Sequence, residues 1–439
     1  MKIASPSLKW PPAAWEKPAS NSRAPAALWK RLVAFDHCRV LLPHFTFARQ
    51  PDAVAELQRL ALADRHPQAA GLWHRFAARA LYAAVVVRQM VPCFRRHAAY
   101  VASRDGIDRW RQWRDLWHSS WRHNRHPRHY YWRKLYRTPD RSGWLDNLEH
   151  RQLMVLLHRI NDHLPVEPAL DKVAFHEHCI SHRLPTPTIL AAWDERGRPT
   201  FEAARPPGGD VFVKPATDFG STGIVTVPHD PATGRYAFAG RELAWPGLLA
   251  RLGRVALESR QPLVLQPRLR NARRAALYGD FDLCNLRLVT GRPPEGKPEA
   301  LGAFIRLPSK LTTTGHDRRV LFAIVDIDSG RQGAGRFRDI TLGEYPFHPE
   351  TSARIAGRVI PGWNDMVQLA LHAHATLPCI PFIGWDIVDT TDGVLLLEAN
   401  AYWGADALQA PGGVPLGRTR FPAIYLEWFD RLGRPSAKT

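Results

Sequence analysis

Residues 382–400, FIGWDIVDTTDGVLLLEAN, are the most informative stretch of this 439-residue chain. Two apolar runs flank the tripeptide 391–393, and this pattern predicts an antiparallel hairpin with a three-residue loop. Such a loop commonly ends in a residue of left-handed conformation, which glycine adopts without the steric cost of a Cβ, and Gly393 stands at that place. Thr390 then pairs with Val394, which fixes the register of both strands.

This register predicts that two carboxylates and an amide share one face of the hairpin. Asp386 lies opposite Glu398, and Asn400, two residues further, points to the same side. Opposed carboxylates repel each other and favour a cation between them, and oxygen ligands suit Mg²⁺ with substrate phosphates as further ligands. The alternative is a hairpin with a polar, solvent-facing side. A two-residue loop at Asp392-Gly393 would place the carboxylates on opposite faces.

Residues 211–227, VFVKPATDFGSTGIVTV, predict a strand, a loop and a second strand. Lys214 ends the first strand and can place a positive charge on a phosphate. The small residues of the loop let backbone N–H groups approach phosphate oxygens; they are Gly220, Ser221, Thr222 and Gly223. No Walker A pattern is present, and a plain hairpin with a turn of small residues is the alternative.

Three further basic residues occupy places where a charge needs a partner. Lys172 stands early in a helix predicted over Asp171–His182, where it either binds phosphate or faces solvent. Arg287 and Arg306 lie inside apolar strand runs. A carboxylate or a phosphate would satisfy each arginine.

The rest of the chain suggests a helical part followed by an α+β part. Residues 1–28 are rich in Pro and Ala and predict a disordered tail, and residues 29–160 show helical spacing. Short β-rich runs interspersed with helices follow from about residue 200; they include 211–215, 263–267 and 285–290.

Composition limits the class of partner and compartment. A net charge of +19 indicates a polyanionic partner: nucleotide phosphates, nucleic acid, an anionic lipid surface or an acidic glycan. Five scattered cysteines without a CxxC pair indicate neither a disulfide framework nor a zinc module and favour the cytoplasm. The first residues lack an apolar core, so no secretory signal is expected. The apolar run at 80–87 is too short to span a bilayer.

A basic segment, residues 95–137, carries four tryptophans at helical spacing: Trp110, Trp113, Trp117 and Trp121. On a helix they form one stripe. The favoured interpretation is a core face, with Trp113 and Trp117 buried. The alternatives are a helix on an anionic membrane, peripheral at the inner membrane, and a nucleic-acid surface. Nucleic acid is disfavoured because no helix-turn-helix, RNA-recognition or zinc motif accompanies the segment.

The order of these motifs resembles the ATP-grasp superfamily. The resemblance rests on Asp171-Lys172, LPTPT, VFVKP with its loop, LVLQPRL, and GWDIV followed by LLLEAN. More narrowly, residues from about 125 to 420 look like the sugar-transfer-associated ATP-grasp family, with HPETSARIAG at 348–357 and IPGWNDMVQLALHAHA at 360–375. The chain departs from the family pattern at 309–320, SKLTTTGHDRRV, where family members often have Asp-Asn and Gly-Gly. This departure concerns the part of the site that would bind the acceptor substrate rather than ATP.

The resemblance implies an α+β ATP-grasp fold, two α+β subdomains gripping ATP, preceded by a mainly helical N-terminal region. The implied domains are a tail at 1–28, a basic helical region at 29–160 and a catalytic domain at 161–432.

It also implies roles for residues already singled out. Lys172 and Lys214 would hold the ATP phosphates, with the 216–223 loop as a lid. Leu265 and Gln266 would read adenine through the backbone. Arg287 and Arg306 would face the terminal phosphate. Mg²⁺ would be bound by Asp386, Glu398 and Asn400.

The expected function is therefore an Mg-ATP-dependent ligase that activates a carboxylate as an acylphosphate for capture by an amine or another nucleophile. The family name implies a place in surface polysaccharide or glycoconjugate synthesis, with a uronic acid as one conceivable acceptor. The alternative is a non-catalytic polyanion-binding protein, which would keep its affinity for polyanions when the Mg²⁺ residues are changed.

Overall fold

The computed structural model describes residues 52–63, 72–123, 125–138, 140–202, 205–217, 225–279, 282–310, 320–410 and 412–433. The chain divides into two compact units. In the described part, unit one comprises Val166–Ala272 and Val388–Ala399, and unit two comprises the residues up to Pro165, Arg273–Ile387 and those from Asn400 onward. The predicted tail at 1–28 lies outside the described residues.

Helices occupy most of the described chain before residue 162 and connect the strands after it. Their bounds are α1 Ala53–Ala63, α2 Leu72–Asp105, α3 Arg109–His123, α4 Pro127–Trp132, α5 His150–Asn161, α6 Lys172–Ser181, α7 Trp245–Ser259, α8 Trp363–Ala375 and α9 Phe421–Arg431. Among the described residues, no helix combines the length and the apolar character needed to cross a membrane.

The strands are β1 Ala191–Trp193, β2 Pro199–Glu202, β3 Val211–Pro215, β4 Val225–Val227, β5 His229–Asp230, β6 Arg235–Phe238, β7 Arg241–Leu243, β8 Leu263–Pro267, β9 Asn285–Gly291, β10 Glu299–Pro308, β11 Val320–Val325, β12 Phe382–Thr390 and β13 Gly393–Asn400. They form sheets in the orders β2-β1-β8-β3-β4, β5-β6-β7 and β11-β10-β9-β12-β13. The predicted strands at 211–215, 263–267 and 285–290 are confirmed.

In unit one, the sheet around β3 and β8 is covered on both faces. Val211, Val213 and Leu265 pack with apolar residues of α7. On the opposite face, Val264 packs with Ala216 and with residues near α6. Alternation along β3 and β8 produces this division, because successive side chains point to opposite faces.

In unit two, apolar side chains of the five-stranded sheet pack against helices. The core joins Leu57 of α1, Leu156 of α5, Phe304 of β10 and Phe421 of α9. A second cluster holds the helical region together around residues of α2, α4 and the segment before α5; it includes Val86, Met90, Tyr130 and Trp144. Helices α1 and α5 thus pack against the sheet of unit two, whereas α2, α3 and α4 pack mainly against one another.

The predicted hairpin forms between β12 and β13, but its connection is shorter than expected. Only Thr391 and Asp392 separate the strands, so the predicted three-residue loop is too long by one residue. The shared face of Asp386 and Glu398, which was derived from that loop length, therefore stays a prediction. Gly393 already begins β13, yet it has the left-handed conformation that was expected, with φ of +105°. Thr390 closes the turn by donating from Oγ1 to the carbonyl of Gly393 over 2.8 Å.

Helix α3 does not bury the face that its tryptophans predict. Trp110 and Trp117 are 72% and 37% exposed. Trp113 and Trp121 are half-buried against the cluster of α2 and α4. The prediction of a buried Trp117 is therefore wrong, and Trp113 is only partly in the core.

Polar residues occupy the buried face of α3 instead. Gln112 is fully buried and donates from Nε2 to the carbonyls of Ile107 and Ala98 over 2.7 and 3.1 Å. Asp115 is also buried and accepts from the Tyr130 hydroxyl over 3.3 Å. Since buried polar groups that are hydrogen-bonded are tolerated in a core, these partners allow the helix to turn its tryptophans outward.

Candidate nucleotide site

Lys172 begins helix α6 and is tied to the end of strand β3. The Asp171 side chain caps the helix by accepting from the backbone N–H groups of residues 173 and 174. The Lys172 N–H donates to the Ala216 carbonyl over 3.1 Å, and its Nζ donates to the same oxygen over 3.3 Å. These bonds place the lysine next to the first residue after VFVKP.

Lys214 lies on the same side of the unit-one sheet. It is 8% exposed and stands opposite Val264, while Gln266 stands opposite Phe212. Directly opposed residues and residues two apart share a face, so Lys214 and Gln266 point to the face of Val264. That face packs near α6, the helix that Lys172 begins.

The residues predicted to contact adenine are described by the structure, whereas the small residues of the predicted phosphate loop are not. The Leu265 side chain belongs to the core beside α7, which leaves only its backbone for the predicted role. The predicted loop residues lie outside the described part of the chain; they are Gly220, Ser221, Thr222 and Gly223. Their contact with phosphate stays a prediction.

Glu398 lies beside Lys172 within unit one. Lys172 Nζ is 3.7 Å from Glu398 Oε2, and the two side chains are 13% and 23% exposed. Strand β13 is held in place here because Leu396 donates its N–H to Pro185 and accepts from the Thr186 hydroxyl. The LPTPT segment therefore positions the strand that carries Glu398.

In unit two, Arg287 and Asp386 form a buried bidentate ion pair. Arg287 Nε donates to Asp386 Oδ1 over 2.7 Å, and a terminal N–H₂ group donates to Oδ2 over 2.9 Å. The residues are 6% and 3% exposed. Planar, bidentate pairing is the strongest geometry available to arginine, so this pair holds both charges in a fixed position.

Arg306 lies on the same face of the sheet as Arg287. The register places Arg287 opposite Phe304 and Asn285 opposite Arg306, so the two arginines are diagonal neighbours on β9 and β10. The Arg306 guanidinium carbon is 5.7 Å from the centre of the Phe304 ring. The structure thus brings the two predicted arginines together.

Asn400 is oriented by the backbone of β12. Its Nδ2 donates to the Gly384 carbonyl over 3.1 Å, which turns the amide oxygen to the opposite side. A Cβ at position 384 would come within 2.8 Å of Trp403 Cβ, so glycine there allows Trp403 to pack closely on the strand. Asn400 and Asp386 are both buried.

The donor chemistry of Asp386, Glu398 and Asn400 fits Mg²⁺, because all three offer oxygen atoms. The argument that opposed carboxylates need a metal ion between them is corrected, however. Arg287 already neutralises Asp386, and Lys172 lies close to Glu398. Among the residues that the structure describes, no group of three or more His, Cys, Asp or Glu side chains is arranged to hold a metal.

Sequence reasoning missed a buried charge cluster in unit two. Glu149 is contacted by His129, by Arg125 over 3.1 Å and by Arg133 over 3.4 Å. Arg133 also pairs with Asp406 over 3.1 Å. The spacing of Glu149 and Gln152 was a recognisable helix cap, but no sequence pattern indicated the cationic partners.

The cluster keeps its carboxylates charged. Burial alone would raise the pKa of Glu149, but His129, Arg133 and Arg125 together hold it well below its usual range. The pKa of Asp406 is lowered in the same way, with His129 and Arg133 outweighing burial. These groups are therefore ionised in the folded protein at neutral pH.

Comparison with known proteins gives three findings. The model of a family described as "Sugar-transfer associated ATP-grasp" matches residues 153–420, more than half of the chain. Similar solved structures include the D-alanine-D-alanine ligase from Coxiella burnetii, with 11% identity, TM-score 0.34 and 62% of each chain covered, so the present chain spans about three fifths of that protein. Another is the ligase of that name from Bacillus anthracis, with 10% identity, TM-score 0.30 and 61% and 67% covered. Curated proteins gave no match.

Proposed function

Since the chain belongs to the sugar-transfer-associated ATP-grasp family and has the ATP-grasp fold, we propose that it is an Mg-ATP-dependent ligase that activates a carboxylate as an acylphosphate. Family membership supports ATP-dependent ligase activity. The observation that carries the proposal furthest is the paired placement of basic and acidic side chains at the predicted positions: Lys172 beside Glu398, and Arg287 with Asp386.

On the nucleotide side, Lys172 and Lys214 would hold phosphates of ATP. Both lie on the α6 side of the unit-one sheet, and the Ala216 carbonyl holds Lys172 at the end of β3. Lysine binds phosphate as a point charge, so a position fixed by the backbone is well suited to the task. The backbone of Leu265 and Gln266 would contact the adenine.

Asp386, Glu398 and Asn400 would hold Mg²⁺, as the family resemblance implies. When bound, the ion neutralises the phosphate oxygens and orients the transferred group. Lys172 would turn from Glu398 to phosphate, while Arg287 keeps Asp386 fixed and, with Arg306, adds positive charge near the reacting group.

The proposed reaction has two steps. An oxygen of the substrate carboxylate attacks the γ-phosphorus, the bond from phosphorus to the bridging oxygen breaks, and ADP leaves with that electron pair. The amine or other nucleophile then attacks the acyl carbon, phosphate leaves, and the nucleophile gives up a proton to solvent. The protein contributes position and charge rather than a covalent group.

The substrate class and setting are part of the proposal. The family description supports a role in polysaccharide or glycoconjugate synthesis, and a uronic acid supplies the required carboxylate. We place the reaction in the cytoplasm, where ATP is abundant. The net charge of +19 favours acidic sugars among carboxylate substrates.

The test is to incubate the protein with radiolabelled ATP, Mg²⁺, a panel of uronic acids and hydroxylamine, which traps acylphosphates as hydroxamates. We expect ADP, phosphate and a hydroxamate with at least one acid. Lys214→Met should abolish turnover, whereas Lys297→Met, which changes an exposed lysine, should not. AMP with pyrophosphate would contradict the proposal, as would unchanged turnover in Lys214→Met. Polyanion binding without any ATP cleavage would support the non-catalytic alternative.

A further inference from the structure

Helix α3 has an unusual arrangement: its outward face carries tryptophan and arginine, and its inward face is mostly polar apart from the buried Leu116. Gln112, Ser119 and Ser120 are fully buried, and Asp115 is 2% exposed. Trp110, by contrast, is 72% exposed. An ordinary surface helix has the opposite arrangement, so the outward face needs its own explanation.

The outward face combines tryptophan and arginine in a narrow sector. At about 100° per residue, Trp110, Arg114, Trp117 and Trp121 fall within about 60° of one another around the helix axis. Trp110, Arg114 and Trp117 are exposed, and Trp121 is half-buried. The rings of Trp117 and Trp121 are stacked with their centres 5.3 Å apart, so the pair forms one continuous apolar surface.

The exposed charge on this helix is positive. Arg109, Arg111 and Arg114 are exposed, whereas the acidic residue of the helix, Asp115, is buried and paired with Arg141. An anionic surface therefore meets attraction from the arginines without repulsion from within the helix.

We infer that this face of α3 docks the protein on an anionic lipid surface. Tryptophan prefers the membrane–water interface, where its ring meets the acyl boundary and its N–H stays hydrated, and arginine binds lipid phosphates beside it. An exposed helix face is convex, and an amphipathic helix can lie with such a face on a membrane. Single-stranded nucleic acid is usually held in a groove instead, so the shape of this face favours a membrane. The inference does not depend on the ligase reaction, and it places the chain peripherally on a membrane.

Co-sedimentation of the full chain with phosphatidylcholine vesicles, with and without phosphatidylglycerol, tests the inference. The protein should sediment with the anionic vesicles only, and salt should weaken this binding. Arg114→Glu should weaken it about fivefold or more, and the double variant Trp110→Ala/Trp117→Ala should lose most of it. Matched controls are Phe201→Ala, at an aromatic residue that is 47% exposed, and Arg254→Glu, at an exposed arginine of α7; both should bind like the parent.

Melting temperature and oligomeric state are measured on the same variants. Because Trp110 and Trp117 are exposed, the double variant should melt close to the parent. Several results would overturn the inference: no vesicle binding by the parent, equal binding to neutral vesicles, or unchanged binding by the double variant. A double variant that loses affinity for a single-stranded oligonucleotide but keeps vesicle binding would assign the face to nucleic acid. One that turns a dimer into a monomer without altering vesicle binding would assign it to a second copy of the chain.

Discussion

Glu149 and Asp386 are two of the buried carboxylates of unit two that pair with arginine, and the groups around them differ. Glu149 accepts from Arg125, Arg133 and His129 and also from a backbone N–H as the cap of α5. A carboxylate has about four acceptor positions, so those of Glu149 are filled. Arg287 occupies one position on each oxygen of Asp386.

This difference separates a structural charge cluster from a candidate ligand site. A carboxylate with all its acceptor positions filled has no capacity for a metal ion, and its removal should affect folding alone. Asp386, which Arg287 fixes in a bidentate pair, stands instead at a position predicted to bind Mg²⁺. Stability should therefore respond most to Glu149 and nucleotide affinity to Asp386.

The largest effect on stability is expected for Glu149→Gln. The change leaves Arg125 and Arg133 buried without their shared countercharge, which should lower the free energy of unfolding by about 3–5 kcal/mol. Urea unfolding at neutral pH measures it. The control is Glu295→Gln, because Glu295 is 86% exposed and its pairing with Arg431 should contribute less than about 1 kcal/mol. If Glu149→Gln lowered the free energy of unfolding as little as the control does, the distinction between Glu149 and Asp386 would be wrong.

Acid should weaken the Glu149 cluster in a defined direction. The folded protein holds the pKa of Glu149 below the ordinary value of 4.5, because the cationic neighbours outweigh burial. The resulting stabilisation is present above that value and is lost as the pH falls toward the folded pKa. Unfolding free energies from pH 7 down to pH 3 should thus decline more steeply in the parent than in Glu149→Gln. Parallel curves would contradict the assigned charge state.

Gly384→Ala should have an intermediate effect. The new Cβ would lie 2.8 Å from Trp403 Cβ and 3.4 Å from Arg287, so the strand or the ring must shift. Overpacking of this kind destabilises by about 1–3 kcal/mol. Because the Gly384 carbonyl also holds Asn400, Mg-dependent nucleotide affinity should fall as well. The matched control is Gly209→Ala. A Cβ at Gly209 would meet nothing within 4 Å, and the φ of this glycine is not in the left-handed region.

Lys172→Met should have the smallest effect on stability. Its ion pair with Glu398 spans 3.7 Å and is partly exposed, so its loss should change the unfolding free energy by about 0–1 kcal/mol. Affinity for the ATP triphosphate should nevertheless fall, because a positioned positive charge is removed. Thermal melting and nucleotide titration measure the two effects separately. A large loss of stability with normal nucleotide binding would make Lys172 a structural residue.

Local patterns in the sequence predicted much of the fold. The helix predicted over Asp171–His182 matches α6, and short β-rich runs marked β3, β8 and β12, because such signals act over a few residues. The orientation of α3 was not predictable in this way. It depends on the hydrogen bond that Gln112 donates to the Ala98 carbonyl and on the one that Asp115 accepts from the Tyr130 hydroxyl, and both partners lie on other helices.

The candidate site was predictable in its residue types but not in its pairings. Arg287 and Asp386 are 99 positions apart, and only strand order brings them together. Lys172 of α6 and Glu398 of β13 are likewise far apart in the sequence and meet only in the fold. The sequence therefore suggested which side chains carry charge but not which of them already neutralise one another.

The most direct test of the site is a calorimetric titration of a non-hydrolysable ATP analogue into the parent, Asp386→Asn and Glu149→Gln, each with and without Mg²⁺. The account predicts that the parent binds the analogue more tightly with Mg²⁺ and that Glu149→Gln, where folded, behaves like the parent. Asp386→Asn should lose about 10–100-fold in Mg-dependent affinity, as is typical when the shell of a metal site is damaged. Equal affinities for the parent and Asp386→Asn in the presence of Mg²⁺ would contradict the assignment of Asp386 to the nucleotide site.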